Sequence, residues 1–389
     1  MKKNIFFLLL ITTLAVAAEP LKGKRLANLS IEEIEKIFNA ENERFKEEKV
    51  AELAEEMSEN FNGSMIIARG GKMITKTNYG FIHLYKGCSN SMREKDENAI
   101  TSSTFFELAS ISKQFTAVAA LTLIEDGKLR FDDSLQKFFP ALPYRGITIR
   151  HMLTHTSGLP DYIDYPDNSV NDSEQPIGNE EMAELFVKMN ERAKFAPGTK
   201  FEYTNTNYML LAIIIEKVSG KKFENYVRER VFTPASMTNS FYVSEADRKS
   251  KNVIAFGHLR NGQELKPHFT DGTIGDKGLY STAEELFLWK KAFFDEHKIL
   301  SDSMRRLATS IQNIVKGKQQ PEEKYGFGFR IEENSHYGKL IYHGGLWHGF
   351  QNLFLYREKD DLVLIFLTNW RNSAHLGKSG AIMHILDGA

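Results

Sequence analysis

The stretch Phe105-Phe106-Glu107-Leu108-Ala109-Ser110-Ile111-Ser112-Lys113-Gln114-Phe115-Thr116-Ala117-Val118-Ala119-Ala120-Leu121-Thr122-Leu123-Ile124-Glu125-Asp126-Gly127 decides the architecture. From Phe115 to Ile124 it is apolar almost all round, and a helix without a polar face is a buried one. Gly127 is a natural stop, since glycine takes the left-handed conformation past a helix end without a Cβ clash. The pattern predicts a buried helix from about Ser110 to Asp126. At its head Ser110 and Lys113 stand three residues apart, about one turn along one face.

That spacing has chemical content. A lysine lodged at the head of a core helix loses hydration, which favours its neutral amine. A neutral amine accepts the Ser110 hydroxyl proton, and the hydroxyl then becomes a nucleophile. The free N–H groups and positive dipole end of the helix suit a developing oxyanion. The same spacing also arises by chance as a solvated helix cap, so its weight depends on the motifs around it.

The 389 residues are 42% hydrophobic and 26% charged, enough for one large domain or two small ones. A net charge of −1 provides no global field to recruit nucleic acid or an anionic membrane. Lys2 and Lys3, the apolar run Ile5 to Val16 and the small residues to Ala18 predict a secretory signal over residues 1–18. The run is short for a membrane span, although an uncleaved anchor is the alternative. The expectation is an exported protein, periplasmic or secreted, with no membrane span after cleavage. Cys88 is the sole cysteine, which rules out an intramolecular disulfide, and it reads as structural or incidental.

Residues 19–60 read as a linker followed by amphipathic helices. Ser30 and Glu33 have the spacing of a capping box, and one or two helices run on to about Phe61. The main domain is expected over 61–389. Ser64 to Arg69 and Lys72 to Tyr79 flank Gly70-Gly71 as a hairpin. Helical patterns cover Glu181 to Asn190, Tyr208 to Val218, Phe223 to Val231 and Thr282 to Phe294. Strand texture covers Tyr325 to Ile331, Lys339 to His343, Phe350 to Arg357 and Leu362 to Thr368. The last is continuously apolar through Leu367, as in a central strand covered on both faces. Ala374 to Leu386 closes as a helix. The expected class is α+β: the terminal strands join one antiparallel sheet flanked by helices, and a mostly helical lobe spans about 128–262. Ser110 lies where they meet, in a cleft. Asp161 to Glu180 reads as a polar surface loop lining that cleft. His151 and His155 have an i, i+4 spacing, but Met152 stands where the metalloprotease pattern needs Glu. No metal and no cofactor are expected.

Two further motifs bear on Ser110. Pro197-Gly198 is a turn that would present Tyr203 and Asn205 together. A phenol near a Lys and a Ser can shuttle a proton, and an amide can both donate and accept. In isolation these read as a core tyrosine and a turn asparagine. His343-Gly344-Gly345 is expected to end a strand, and paired glycines let a substrate or a second chain approach the backbone. Taken alone it is a turn.

In this order, Ser110-Ile111-Ser112-Lys113, Tyr203-Thr204-Asn205 and His343-Gly344-Gly345 resemble the motifs of the serine penicillin-recognising hydrolases. The branch most similar is the class C β-lactamase-like one, which has Tyr-x-Asn at the second motif. Leu153-Thr154-His155-Thr156-Ser157-Gly158-Leu159, Gly278-Leu279-Tyr280-Ser281-Thr282 and Tyr325-Gly326-Phe327-Gly328 resemble stretches of the same family. The resemblance covers roughly Phe61 to the C-terminus and implies the β-lactamase/transpeptidase-like fold. It further implies that Ser110 is acylated, that Lys113 is its base and that Tyr203 shares the proton work. Asn205 would bind the acyl side of the substrate. The backbone N–H groups of Ser110 and Leu346 would form the oxyanion hole, with His343, Gly344 and Gly345 lining the substrate. The third motif departs from the usual Lys-Thr-Gly or Lys-Ser-Gly. His343, partly charged near neutrality, replaces the fixed cation, and Gly344 replaces the hydroxyl residue. The resemblance therefore implies a serine hydrolase acting on a small-molecule or peptide acyl substrate. An esterase or a D-amino-acid peptidase or carboxypeptidase is favoured over a β-lactamase. A non-catalytic protein that binds peptides or cell-wall fragments is the alternative of another class.

Overall fold

Leu362–Thr368 is the strand on which the sheet is built. All seven of its side chains are buried, as its unbroken apolar run requires of a strand covered on both faces. The computed structural model describes residues 30–84, 98–165, 176–242, 253–265, 268–315, 323–372 and 375–388. The leader expected over 1–18 and Cys88 lie outside the described residues.

Six strands form the main sheet: β1 (Gly63–Arg69), β2 (Lys72–Tyr79), β6 (Arg330–Ser335), β7 (Gly338–Trp347), β8 (Phe350–Arg357) and β9 (Leu362–Thr368). Their order is β2-β1-β9-β8-β7-β6, with every neighbour antiparallel. The two ends of the domain sequence thus meet at the β1–β9 pair. Gly70 and Gly71 both take positive φ, as a two-residue hairpin turn between twisted strands demands. A second, three-stranded sheet joins β3 (Phe106–Glu107), β5 (Leu279–Ser281) and β4 (Phe241–Tyr242).

The Ser112–Glu125 helix is buried over twelve of its fourteen residues. It packs against the Thr206–Ser219 helix, itself buried from Thr206 to Ile215. The Ala283–Lys290 helix, capped by the Thr282 hydroxyl, lies on β9 and β1. The Ile31–Met57 and Lys378–Asp387 helices pack on one another and form a compact unit of their own. Ser30 and Glu33 make the expected capping box, and a single helix follows it. No helix among the described residues is long and apolar enough to cross a membrane.

Three readings change. His343-Gly344-Gly345 does not end a strand: β7 runs through it to Trp347, and Gly345 pairs with Asn352 of β8. The ladder tolerates these glycines because their backbone N–H and C=O groups remain available. The strand expected from Tyr325 begins only at Arg330; Tyr325 to Phe329 form a buried turn instead. The head of the expected 161–180 surface loop is only partly on the surface, since Tyr162 and Tyr165 are buried while Asp164 is exposed; residues 166–175 of that loop lie outside the described residues.

Ile365 sits in the middle of β9, paired with Ile66 and Phe354 and fully buried. Ile365→Ala should cost about 2–5 kcal/mol. In urea this is expected as a lower midpoint at unchanged slope.

Candidate active site

Ser110 lies on a one-turn 3-10 segment, Ala109–Ile111, that leads into the Ser112–Glu125 helix. Ala109 is held at φ 49°, a left-handed conformation that costs free energy in any residue with a Cβ. The turn abuts β7 and β8. Gly345 is what permits this approach: a Cβ there would stand 2.2 Å from the Leu108 carbonyl oxygen. Gly328 does the same for the Tyr325–Phe329 turn, where a Cβ would meet the Lys113 carbonyl at 2.7 Å.

Lys113 is completely buried. Its ammonium donates to Ser110 Oγ at 3.0 Å, to Asn205 Oδ1 at 2.8 Å and to the Asp276 carbonyl at 2.9 Å. Three N–H bonds meet three acceptors. Desolvation lowers its pKa to about 8; the Asp276 and Asp161 carboxylates oppose that fall and the Arg330 cation adds to it. The Asn205 carboxamide is not free to flip, because its backbone N and Nδ2 both donate to Asp161 Oδ2. One of the two amide N–H bonds expected to serve the acyl side of a substrate is therefore committed within the protein.

The Tyr203 ring lies beside this centre. Lys113 Nζ is 5.0 Å from its centroid and Arg330 Cζ is 5.3 Å from it. The Tyr203 hydroxyl is buried beside the Ser110 hydroxyl and makes no well-aligned hydrogen bond among the described residues. Burial pushes its pKa up, and the Ser110 hydroxyl beside it offsets part of that shift. His155 stacks on the same ring with centroids 4.2 Å apart, and it takes the Thr204 N–H on Nδ1.

His343 differs from its expected role. It is buried, lies 3.0 Å through Nε2 from the Tyr325 hydroxyl, and is held on Nδ1 by the Gly344 carbonyl. Burial, then Arg330 and Lys113, hold its pKa well below the usual imidazole value, so it is neutral rather than partly charged. A fixed cation in this region is Arg330, on β6 beside β7, about a quarter exposed (25%) and paired with the Glu323 carboxylate. Sequence reasoning missed it, as a lone arginine between Phe329 and Ile331 reads as a solvated strand residue. Gly344 is open, with its nearest would-be contact at 3.7 Å, and Leu346 is half exposed. The described residues hold no cluster of His, Cys or acids fit for a metal. His151 instead completes a cap with Thr148.

Residues 50–385 match the Beta-lactamase family. The chain belongs to that family, and membership supports a serine hydrolase. It is 28% identical over 322 residues to penicillin-binding protein 4* of Bacillus subtilis, covering 79% of this chain and 68% of that protein. Among solved structures, a penicillin-binding protein from Bacillus halodurans superposes with a TM-score of 0.70 at 25% identity, over 86% of this chain and 98% of that one. The octameric penicillin-binding protein homologue from Pyrococcus abyssi gives 0.71 at 28% identity, over 87% and 76%. The sheet-and-helix arrangement is thus the β-lactamase/transpeptidase-like fold.

The two glycines of the third motif should respond differently to a methyl group. Gly344→Ala should leave stability near wild type. Gly345→Ala must displace the Leu108–Ser110 turn, so a lower melting temperature and a large loss of any Ser110-dependent activity are expected. Thermal melting of both variants and ester turnover by Gly345→Ala check this.

Proposed function

We propose that the chain hydrolyses an ester or amide through an acyl-enzyme on Ser110. The observation that carries this reading is the partner set of Lys113. Of its three partners, Asn205 Oδ1 and the Asp276 carbonyl can only accept. When Lys113 is neutral, its two N–H bonds go to those acceptors and its lone pair falls to the one partner with a proton to give, the Ser110 hydroxyl.

The steps follow from that geometry. Ser110 Oγ attacks the acyl carbon as its proton passes to Lys113 Nζ. The tetrahedral oxyanion forms against the backbone N–H groups of Ser110 and Leu346, each such donor being worth about 10²–10³ in rate where tested. Collapse breaks the bond to the leaving group, which takes a proton from Lys113; Tyr203 relays it once acylation of Ser110 Oγ has freed that N–H bond of Lys113 to turn toward the phenol. Water then attacks the acyl-enzyme, giving its proton to the same pair, and Ser110 is regenerated. Asn205 keeps one amide N–H for the acyl side.

The substrate class rests on Arg330. A cation beside Tyr203 whose exposed partner, Glu323, a substrate carboxylate can share or replace suits a substrate with a carboxylate beyond the scissile bond, as in a D-amino-acid peptide cleaved by a carboxypeptidase. Hydrolysis of a β-lactam, which also carries a carboxylate there, is the second reading that Arg330 favours. Export, periplasmic or secreted, belongs to this proposal and rests on residues 1–18.

Ser110→Ala should lower kcat for an activated ester at least about 10³-fold. For wild type, kcat/KM on a neutral ester should rise about tenfold per pH unit and level off near pH 8, because the base works only when deprotonated. A flat profile from pH 6 to 9 speaks against Lys113 as the base. Arg330→Gln should raise KM about tenfold or more for carboxylate-bearing peptides and cephalosporins and leave KM for neutral esters unchanged, while the acidic midpoint of both moves to higher pH because a cation that lowers the Lys113 pKa is gone. An equal effect on KM for both substrate types counts against Arg330 as the carboxylate partner.

A further inference from the structure

Two neighbouring residues outside the three motifs reach both of the acceptors that hold Lys113. Asp161 Oδ2 takes the Asn205 backbone N–H at 3.0 Å and Nδ2–H at 2.9 Å. With its nitrogen turned to a carboxylate, Asn205 must present Oδ1 to Lys113. Tyr162 is fully buried, and its hydroxyl donates to Asp276 Oδ2 at 2.7 Å. The same hydroxyl accepts from Lys277 Nζ, which also donates to Thr273 Oγ1 and lies 3.6 Å from Asp276 Oδ2. The segment 273–277, whose Asp276 carbonyl receives Lys113, is therefore fastened through Tyr162. The dipeptide is itself tied to the head of the Thr206–Ser219 helix. The Tyr162 N–H donates to Thr206 Oγ1 at 2.9 Å, and that hydroxyl donates to the Pro160 carbonyl at 2.7 Å.

We propose that Asp161 and Tyr162 are positioning residues: the first aims the Asn205 carboxamide, the second anchors the Asp276 carbonyl, and together they turn the lone pair of neutral Lys113 onto Ser110. This rests on the reading of Ser110 and Lys113 given above. Filling space would not require the chemistry found here. A phenylalanine occupies the volume of Tyr162 without its hydroxyl, and an asparagine that of Asp161 without its charge. The charged groups around Lys113 are the Asp161 and Asp276 carboxylates and the Arg330 cation. Its ring neighbours are Tyr203 and Tyr208, both with raised pKa; His155 and His343, which feel its charge, have theirs lowered, so all four are uncharged near neutrality. Removing the Asp161 charge withdraws one of the two anions that favour the Lys113 ammonium, and it frees the Asn205 amide to flip.

The test uses the full-length protein with 4-nitrophenyl acetate from pH 5 to 10, comparing wild type, Ser110→Ala, Asp161→Asn and Tyr162→Phe, with a melting curve for each. Both positioning variants are expected to lose about ten- to a hundredfold in kcat, with KM within about twofold. Asp161→Asn should also move the acidic midpoint to lower pH, by about half a unit or more. A merely structural role would lower the active fraction and leave the midpoint in place. Folded variants with wild-type kcat and midpoint, beside an inactive Ser110→Ala, overturn the positioning role alone. A Ser110→Ala protein as active as wild type overturns the catalytic reading beneath it. Should Asp161→Asn not fold, Tyr162→Phe, which removes one oxygen, decides by kcat per active site, with Ser110 counted by the burst of 4-nitrophenol: a loss that persists after this normalisation supports the positioning role, and a wild-type value overturns it.

Discussion

Burial of the Lys113 ammonium is the constraint on which the rest of the site depends. An isolated charge moved into a protein interior costs several kcal/mol even after relaxation, and a lysine meets that cost by bonding all its N–H groups or by releasing a proton. Here both responses are present: three acceptors surround Nζ, and the pKa stands at about 8. The acceptors come from three distant parts of the chain, so the helix head, the start of the Thr206–Ser219 helix and the segment before β5 must converge on one nitrogen. A fold that satisfies this lysine has already assembled its candidate site.

Convergence at hydrogen-bond distance leaves little room for side chains, which explains where several glycines fall. Gly345 brings β7 against the Leu108 carbonyl, and Gly328 brings the Tyr325–Phe329 turn against the Lys113 carbonyl. A Cβ on Gly275 would meet Ala212 and the Tyr208 carbonyl, each at 2.7 Å, so the segment bearing Asp276 sits directly on the Thr206–Ser219 helix. Gly345, Gly328 and Gly275 thus share one physical role, the close approach of backbones around Ser110 and Lys113.

The sequence carried the large features because they rest on long, regular patterns. The all-apolar helix after Ser110, the unbroken run of β9 and the Gly-Gly hairpin each have a period or turn chemistry of their own. Ser110, Lys113, Tyr203 and Asn205 were legible as motifs, and they do come together in space. Features without a local signature were not legible. Strands of two or three residues, such as β3 and β4, have no period to detect. The glycines of β7 interrupt the apolar alternation, so the strand read as ending where it continues. Asp161, Tyr162 and Asp276 lie in turn-rich stretches whose polar composition reads as surface, and only their long-range partners reveal them as buried. Whether His343 is charged depended on burial, which composition does not report.

The neutral state of His343 bears on how the third motif can differ from the familiar Lys-Thr-Gly. Lys113 already shares its surroundings with one fixed cation, Arg330, which acts to lower its pKa. A second fixed cation at position 343, buried against Tyr325, would depress the Lys113 ammonium further and would itself need a counter-charge. A neutral imidazole avoids both costs. It takes its place in a hydrogen-bonded aromatic cluster with Tyr325, while Arg330 on the neighbouring strand keeps its guanidinium partly in water and paired with the Glu323 carboxylate, where a charge is cheap to hold. The positive field of the site is thereby moved one strand outward.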